Sequence, residues 1–263
     1  MRPCPRRRRR PRRDSRPHDA GSSCAPGVVA GYGADVSTAP SWDALRDAVA
    51  DTSRALASSG AVIGTAGNVS ARAGEHVAVT ATGVVLAQTA PEHVTVVDLA
   101  GNVVAGDLEP TSELRMHLGI YRRYRAGAIV HTHSPLAVAL STVLDELPCI
   151  HYQLLELGGA IRVAPFAPFG TSELAELVLT ALADKSAALL ANHGAIAYAS
   201  TLDRALDDAL LLEWACGVYQ KAAAIGPPRA LDAEQQAAAR QVVLDRDYGT
   251  LHRLSEPSAP DPP

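Results

Sequence analysis

The 263-residue sequence has little lysine, no closely paired cysteines and no long apolar run. Its two lysines are Lys185, in a polar turn, and Lys221, near the end of a helical pattern. Schiff-base chemistry needs a desolvated lysine in a pocket, and neither position fits. Carbonyl chemistry here would therefore need a metal as its electron sink. The four cysteines (Cys4, Cys24, Cys149, Cys216) lie far apart without a C-x-x-C pair. That spacing excludes a disulfide framework or a metal finger and points to a reducing, cytoplasmic compartment. No segment approaches the roughly 18 apolar residues of a membrane span. No apolar stretch follows the N-terminal charges, as a secretory signal requires. Phosphate loops of the G-x-G-x-x-G and Walker types are also missing.

The net charge of −4 hides an asymmetry. Nine arginines against Asp14 give residues 1–18 a charge of +8, which leaves −12 on the rest, from 15 basic and 27 acidic side chains. Non-specific nucleic-acid binding rests on Lys and Arg neutralising phosphates, so an acidic body argues against it. Residues 1–39, rich in Arg, Pro, Gly and Ser, read as a disordered leader rather than a nucleic-acid patch. The SEPSAPDPP tail at 255–263 reads likewise. Residues 40–254 are expected to fold as one domain.

Within that body the pattern alternates in type. Ser41 can cap a helix to about Ser58 with Leu45, Val49 and Leu56 on one face. β-like runs follow at His76–Thr80, Val94–Asp98 and Ala128–His131. The tetrapeptide Thr-Ser-Glu-Leu occurs twice, at 111–114 and 171–174, and each copy opens a helix, to about Arg123 and Ala183. Ala187–Ala191 and Ala195–Tyr198 are apolar runs split by an Asn192-His193-Gly194 turn signal. A long helix from about Leu202 to Ala224 is expected to bury Leu206, Leu210, Trp214 and Val218. Strands and helices mix without strict βαβ alternation, which predicts an α/β fold, a sandwich whose mostly antiparallel central sheet is covered by helices.

His131-Thr132-His133 ends an apolar strand, and side chains at i and i+2 of a strand share a face. Two adjacent imidazoles repel when protonated, and a divalent cation can bind both in neutral form. A third histidine would complete a His₃ set with an open position. His193 is the best placed candidate, with His117 and His151 in reserve; His117, one helical turn from Glu113, reads better as a packed or supporting residue. Glu113 is ambiguous, because an acidic residue in a first helical turn also serves the helix dipole. The stretch Gly64 to Ser70 reads as a small-residue loop, and Thr80-Ala81-Thr82-Gly83 and Thr111-Ser112 are further polar turns. Backbone N–H groups and hydroxyls in such turns can converge on an oxyanion.

In order along the chain, GTAGNVSAR (64–72), TATG (80–83), PTSELRMH (110–117), IVHTHS (129–134), IHY (150–152), APFAPFGT (164–171) and ANHG (191–194) resemble the class II aldolase/adducin family, most closely its fuculose-phosphate aldolase branch. The resemblance implies a zinc ion on His131, His133 and His193, with Glu113 as catalytic acid/base. It implies that Asn68, Thr82, Gly83, Thr111 and Ser112 hold a substrate phosphate. Tyr152 looks like a tyrosine that reaches a neighbouring subunit's site, and Tyr248 like a second, mobile one. A homotetramer with sites at subunit interfaces follows, as does cleavage of a ketose 1-phosphate such as L-fuculose 1-phosphate to dihydroxyacetone phosphate and a short aldehyde such as L-lactaldehyde. No nucleic-acid or membrane partner is expected. Pentulose-phosphate 4-epimerase, methylthioribulose-1-phosphate dehydratase and sugar-acid phosphate decarboxylase are alternatives on the same scaffold, and an adducin-like module without catalysis is a fourth. Epimerases of the family typically carry Asp where Glu113 stands. Thr111, Asn192 and Leu114 depart from the branch's usual Ser, His and Trp, which leaves the sugar open.

Overall fold

Strands with alternating faces and helices with one buried stripe can only stack in layers, and this chain stacks three. A computed structural model describes residues 42–246. Ser41, the expected first cap, and Tyr248 therefore lie outside the described residues, as do the leader, the tail and both ends of the expected domain.

Helix α1 spans Trp42–Ser58, and strands β1 (Asn68–Ala73), β2 (His76–Thr80), β3 (Val94–Asp98) and β4 (Val103–Ala105) follow. Then come α2 (Leu114–Arg123), β5 (Ala128–Thr132), α3 (Pro135–Ser141), β6 (Glu146–Leu147) and β7 (Ile161–Ala164). The chain continues through α4 (Ser172–Ala181), β8 (Ala187–Leu190), β9 (Gly194–Ala199), α5 (Leu202–Ile225) and α6 (Ala233–Arg246). The nine strands form one sheet in the order β4-β3-β2-β1-β5-β9-β8-β7-β6. Neighbours are antiparallel throughout except β7 and β8, which are parallel.

The two sheet faces read directly from residue parity. Val69, Ala71, Ala128, Val130, Ala195 and Ala197 face α1, α3 and α5, whereas Val77, Val79, Ile129 and Ile196 face α2 and α4. Each large aliphatic side chain sealed in these layers contributes roughly 1.5–3 kcal/mol. The second face carries the chemistry. In the β1–β5 register Asn68 lies opposite His131 and Ser70 opposite Ile129, so two polar side chains of β1 point the same way as His131.

Two expectations are corrected. Asn68-Val69-Ser70 is not loop but the start of β1, zipped between β2 and β5; pairing on both sides overrides the weak strand preference of Asn and Ser. Helix α5 buries Ala205, Ala209, Leu212, Ala215 and Cys216, and leaves Leu206 and Leu210 half-buried and Trp214 exposed. The sheet beneath it is itself lined with Ala128, Ala195 and Ala197. A stripe of small residues lets the helix lie close to such a surface, so the larger side chains fall to its flanks.

Candidate active site

Strand β5 delivers the first two imidazoles. His131 follows Ile129 on the α2 side of the sheet, and His133 extends the same side just past the strand end. Their Nε2 atoms are 3.1 Å apart. The third imidazole arrives on the tight turn between β8 and β9. Asn192 adopts the left-handed region there (φ 57°), which Asn tolerates better than most residues. Gly194 lies so close to β5 that a Cβ would sit 2.0 Å from the Thr132 carbonyl oxygen. This turn brings His193 Nε2 to 3.1 Å from His133 Nε2.

Glu113 completes the cluster from the opposite wall. It is the N-terminal cap residue of α2, fixed by the Thr111 N–H donating to the Thr80 carbonyl at 3.0 Å. Its Oε2 lies 3.0 Å from His131 Nε2, and its Oε1 3.4 Å from His193 Nε2. One donor atom from each of Glu113, His131, His133 and His193 lies within 4.8 Å of the others. The reserve candidates do not join them. His117 is sealed behind Asn68, and the ring of His151 packs against Trp214 at 5.0 Å.

The donor chemistry suits a divalent cation. His131 Nδ1–H donates to the Ala195 carbonyl at 2.9 Å, so in the neutral ring Nε2 is the bare nitrogen, aimed at its neighbours; a backbone bond of this kind orients metal-binding histidines. Burial first, and then the charge of His131, pushes His133 and His193 down to about 4, so both favour the neutral, ligating form. Burial alone would raise the Glu113 carboxyl. The charge of His131 and its hydrogen bond, the charge of His193 and the Asn68 amide outweigh it and hold Glu113 well below the usual carboxylate range. Burial likewise opposes protonation of His131, but Glu113 beside it prevails and holds that ring up. Glu113 Oε1 is buried without a hydrogen-bond partner. An orphaned carboxylate oxygen facing converging nitrogen lone pairs is a set that a Zn²⁺-like ion satisfies.

The cluster floors a cavity of about 530 Å³ lined also by Asn68, Thr82, Gly83, Thr111 and Ser112. All five residues expected at a phosphate therefore share one chamber with Glu113, His133 and His193. Sequence reasoning gave no role to Phe166 and Phe169, which rim the same cavity and are 64% and 70% exposed. Their sequence signal is the APFAPFGT segment, matched without a role for either aromatic, just before Gly170, whose backbone packs on that of Ser112. Tyr152 lies elsewhere, half-exposed beside a separate cavity lined by Leu155, Glu156, Arg240, Val243 and Leu244.

The profile of the family described as "Class II Aldolase and Adducin N-terminal domain" matches residues 47–220. The chain belongs to this family. Among its relatives is a 5-deoxy-D-ribulose 1-phosphate aldolase of Bacillus thuringiensis, 37% identical over 72% of this chain and 91% of the relative. Another is a 5-methylthioribulose-1-phosphate/5-deoxyribulose-1-phosphate aldolase of Rhodospirillum rubrum, 35% identical over 82% of this chain and 97% of the relative. A solved structure of an L-fuculose 1-phosphate aldolase superposes with a TM-score of 0.73 at 31% identity, over 76% of this chain and 96% of that one. This class II aldolase is thus a metal-dependent aldehyde-lyase, close to the fuculose-phosphate enzymes. Family and cluster together place a divalent metal in its chemistry. No helix among the described residues is long and apolar enough to cross a membrane.

Proposed function

We propose that this chain cleaves a short ketose 1-phosphate to dihydroxyacetone phosphate and a short aldehyde. The observation that carries the reading is the meeting of three imidazoles and one carboxylate beside a chamber that Glu113, His133 and His193 line together with Asn68, Thr82, Gly83, Thr111 and Ser112. The substrate is of the L-fuculose 1-phosphate or 5-deoxyribulose 1-phosphate type, which would release L-lactaldehyde or acetaldehyde respectively.

His131, His133 and His193 would hold the ion, with zinc the metal that best fits a His₃ set. When bound, it supplies Lewis-acid stabilisation of the charge that shifts onto the C2 oxygen, worth several kcal/mol. Asn68, Thr82, Gly83, Thr111 and Ser112 would hold the phosphate. Among the described residues no Lys or Arg lines the chamber, so their share of recognition falls to hydroxyls, backbone N–H groups and the N-terminal end of α2. In cleavage, the C4 hydroxyl loses its proton, the C3–C4 bond breaks, and its electron pair stays with the C3 side. Glu113 then relays to C3 a proton that its carboxylate takes up from solvent, and in the synthetic direction it removes that proton and returns it to solvent. Tyr152 of a neighbouring copy is the group we assign to the C4 oxygen's proton, with Tyr248, outside the described residues, as a second catalytic tyrosine.

That assignment requires sites at interfaces between copies of the chain, for which we propose a homotetramer. It is supported by the exposed apolar surface around Tyr152, including Trp214 and Leu244, which association would cover. The buried free thiols of Cys149 and Cys216 support the cytoplasmic compartment expected from the sequence. The test is a panel of L-fuculose 1-phosphate, L-rhamnulose 1-phosphate, 5-deoxyribulose 1-phosphate, methylthioribulose 1-phosphate and ribulose phosphate. Dihydroxyacetone phosphate plus an aldehyde from at least one member is the expected product. A C4-inverted pentulose or a dehydrated product would overturn the reading in favour of an epimerase or dehydratase.

A further inference from the structure

Behind the carboxylate lies a buried polar chain that no catalytic step above uses. Along α2, Glu113, His117 and Tyr121 recur every four residues and so share one helix face. Along β1, Asn68 and Ser70 share one strand face. The two rows interlock. Asn68 Nδ2 lies 3.0 Å from Glu113 Oε2, and Asn68 Oδ1 meets His117 Nε2. His117 Nδ1 lies 2.7 Å from Ser70 Oγ, which lies 2.7 Å from the Tyr121 hydroxyl. Ser70 and His117 are wholly buried, and Tyr121 is 1% exposed.

With Glu113 ionised, its Oε2 can only accept, so Asn68 must turn its amide N–H towards it. Asn68 Oδ1 then faces His117, whose Nε2 must carry the hydrogen. Burial pushes His117 down to about 3, with the charge of His131 adding to the effect, so the ring is neutral and Nδ1 is bare. Ser70 therefore donates to Nδ1, and the Tyr121 hydroxyl donates to Ser70. Every donor in the chain points towards the carboxylate, an alignment in which successive hydrogen bonds polarise one another. A ring without a donor at this place would let the Asn68 amide flip and present its oxygen to a carboxylate.

We propose that His117 is a positioning residue: held by Ser70 and Tyr121 in its Nε2–H form, it fixes the Asn68 amide so that the N–H faces Glu113. The inference rests on the aldolase reading for its catalytic consequence but not for its structural core. Nitrogen-15 NMR of histidine-labelled full-length protein, metal-free and zinc-loaded, reads that core without any substrate. The His117 signal, assigned by its loss in His117→Gln, is expected to show a neutral ring protonated at Nε2 in both samples between pH 6 and 8. A ring protonated at Nδ1, or at both nitrogens, overturns the proposal. In the aldolase assay His117→Leu is expected to lower kcat about 10–100-fold, with KM within about threefold and bound zinc unchanged. His117→Gln, which can keep an N–H near Asn68, is expected to recover most of that loss. Wild-type kcat in His117→Leu overturns the proposal, as does a folded, metal-loaded His117→Gln no better than His117→Leu. Should His117→Leu fail to fold, Ser70→Ala serves instead: releasing the tautomer should lower kcat with KM held, and unchanged kcat overturns the proposal. A correct tautomer in a protein that cleaves no ketose phosphate would refute the aldolase reading and leave this one standing.

Discussion

Residues 111–114 and 171–174 are the same four residues, Thr-Ser-Glu-Leu, and both sit where a helix begins, yet the structure uses them in opposite ways. At the second copy Thr171 is the cap, its Oγ1 accepting from the Leu174 N–H at 3.2 Å. Glu173 then falls in the first turn of α4, exposed, while Leu174 is buried. At the first copy the helix starts two residues later in the motif. Thr111 Oγ1 accepts from Glu113 N–H instead, at 3.3 Å, and Glu113 itself is the cap residue. Its side chain turns inward and is only 6% exposed. Burying a carboxylate is costly unless it is paired, and here Asn68 and His131 supply the pairing. Local sequence fixes that a helix begins; the opposite wall decides which way the glutamate points.

The largest test of that difference removes the divalent metal that we propose the opposite wall holds. Chelation should take aldolase activity to baseline and zinc should restore it. Bound metal adds stability by mass action, about 4 kcal/mol at a thousandfold excess over Kd, which corresponds to roughly 10 °C in Tm. Hydrogen exchange should quicken at 111–114 and stay unchanged at 171–174. Equal protection changes at both copies would break the comparison. Next come the glutamates themselves. Glu113→Gln should lower kcat by about 10²–10⁴-fold, the usual range for losing an acid/base group, whereas Glu173→Gln should leave the steady-state constants of the enzyme unaltered.

A third carboxylate sharpens the point that burial alone does not set a group's charge. Asp208 on α5 is also buried, but its pKa moves the other way, to about 6, driven first by burial and only partly offset by Arg204, with Glu156 and Asp207 pushing it further up. A carboxyl whose folded pKa lies above its unfolded value adds stability that is complete below the ordinary aspartate value of 3.8 and is lost as pH rises through about 6. Asp208→Asn should therefore gain on the wild type in Tm between pH 4 and pH 7, by an amount corresponding to at most about 3 kcal/mol. A gap that narrows over this window would contradict the assignment.

Much of this was legible in the sequence because it rests on short periods. The i, i+2 spacing of His131 and His133 put both rings on one face once Ala128–His131 was read as a strand, and Asn192-His193-Gly194 announced a turn able to carry the third. What the sequence obscured depends on neighbours far along the chain. Asn68 and Ser70 look like loop residues until β2 and β5 pair with them. The buried stripe of α5 is set by the small residues of the sheet beneath it rather than by its own largest side chains. Phe166 and Phe169 recur in a tandem Ala-Pro-Phe repeat that is neither a helix nor a strand period, and the part assigned to Tyr152 depends on a second copy of the chain.

The smallest effect separates the two threonines. Thr171→Ala removes a helix cap and should cost about 1 kcal/mol of stability, with KM moved less than twofold, because the Thr171 hydroxyl bonds the Leu174 N–H and the Pro168 carbonyl and does not itself line the chamber. Thr111 makes no such cap. Its hydroxyl meets the N–H of the residue that becomes the cap, and it lines the cavity with Ser112. Thr111→Ala should cost a similar amount of stability, about 1 kcal/mol, because the buried Glu113 N–H loses its acceptor, while also raising KM about tenfold, the loss of one hydrogen bond to a charged phosphate. Thr111→Ser, which keeps the oxygen, should behave as wild type. If both alanine variants lost that stability and neither moved KM, the two copies would be ordinary helix starts, and the inward turn of Glu113 would need another cause than the chamber it faces.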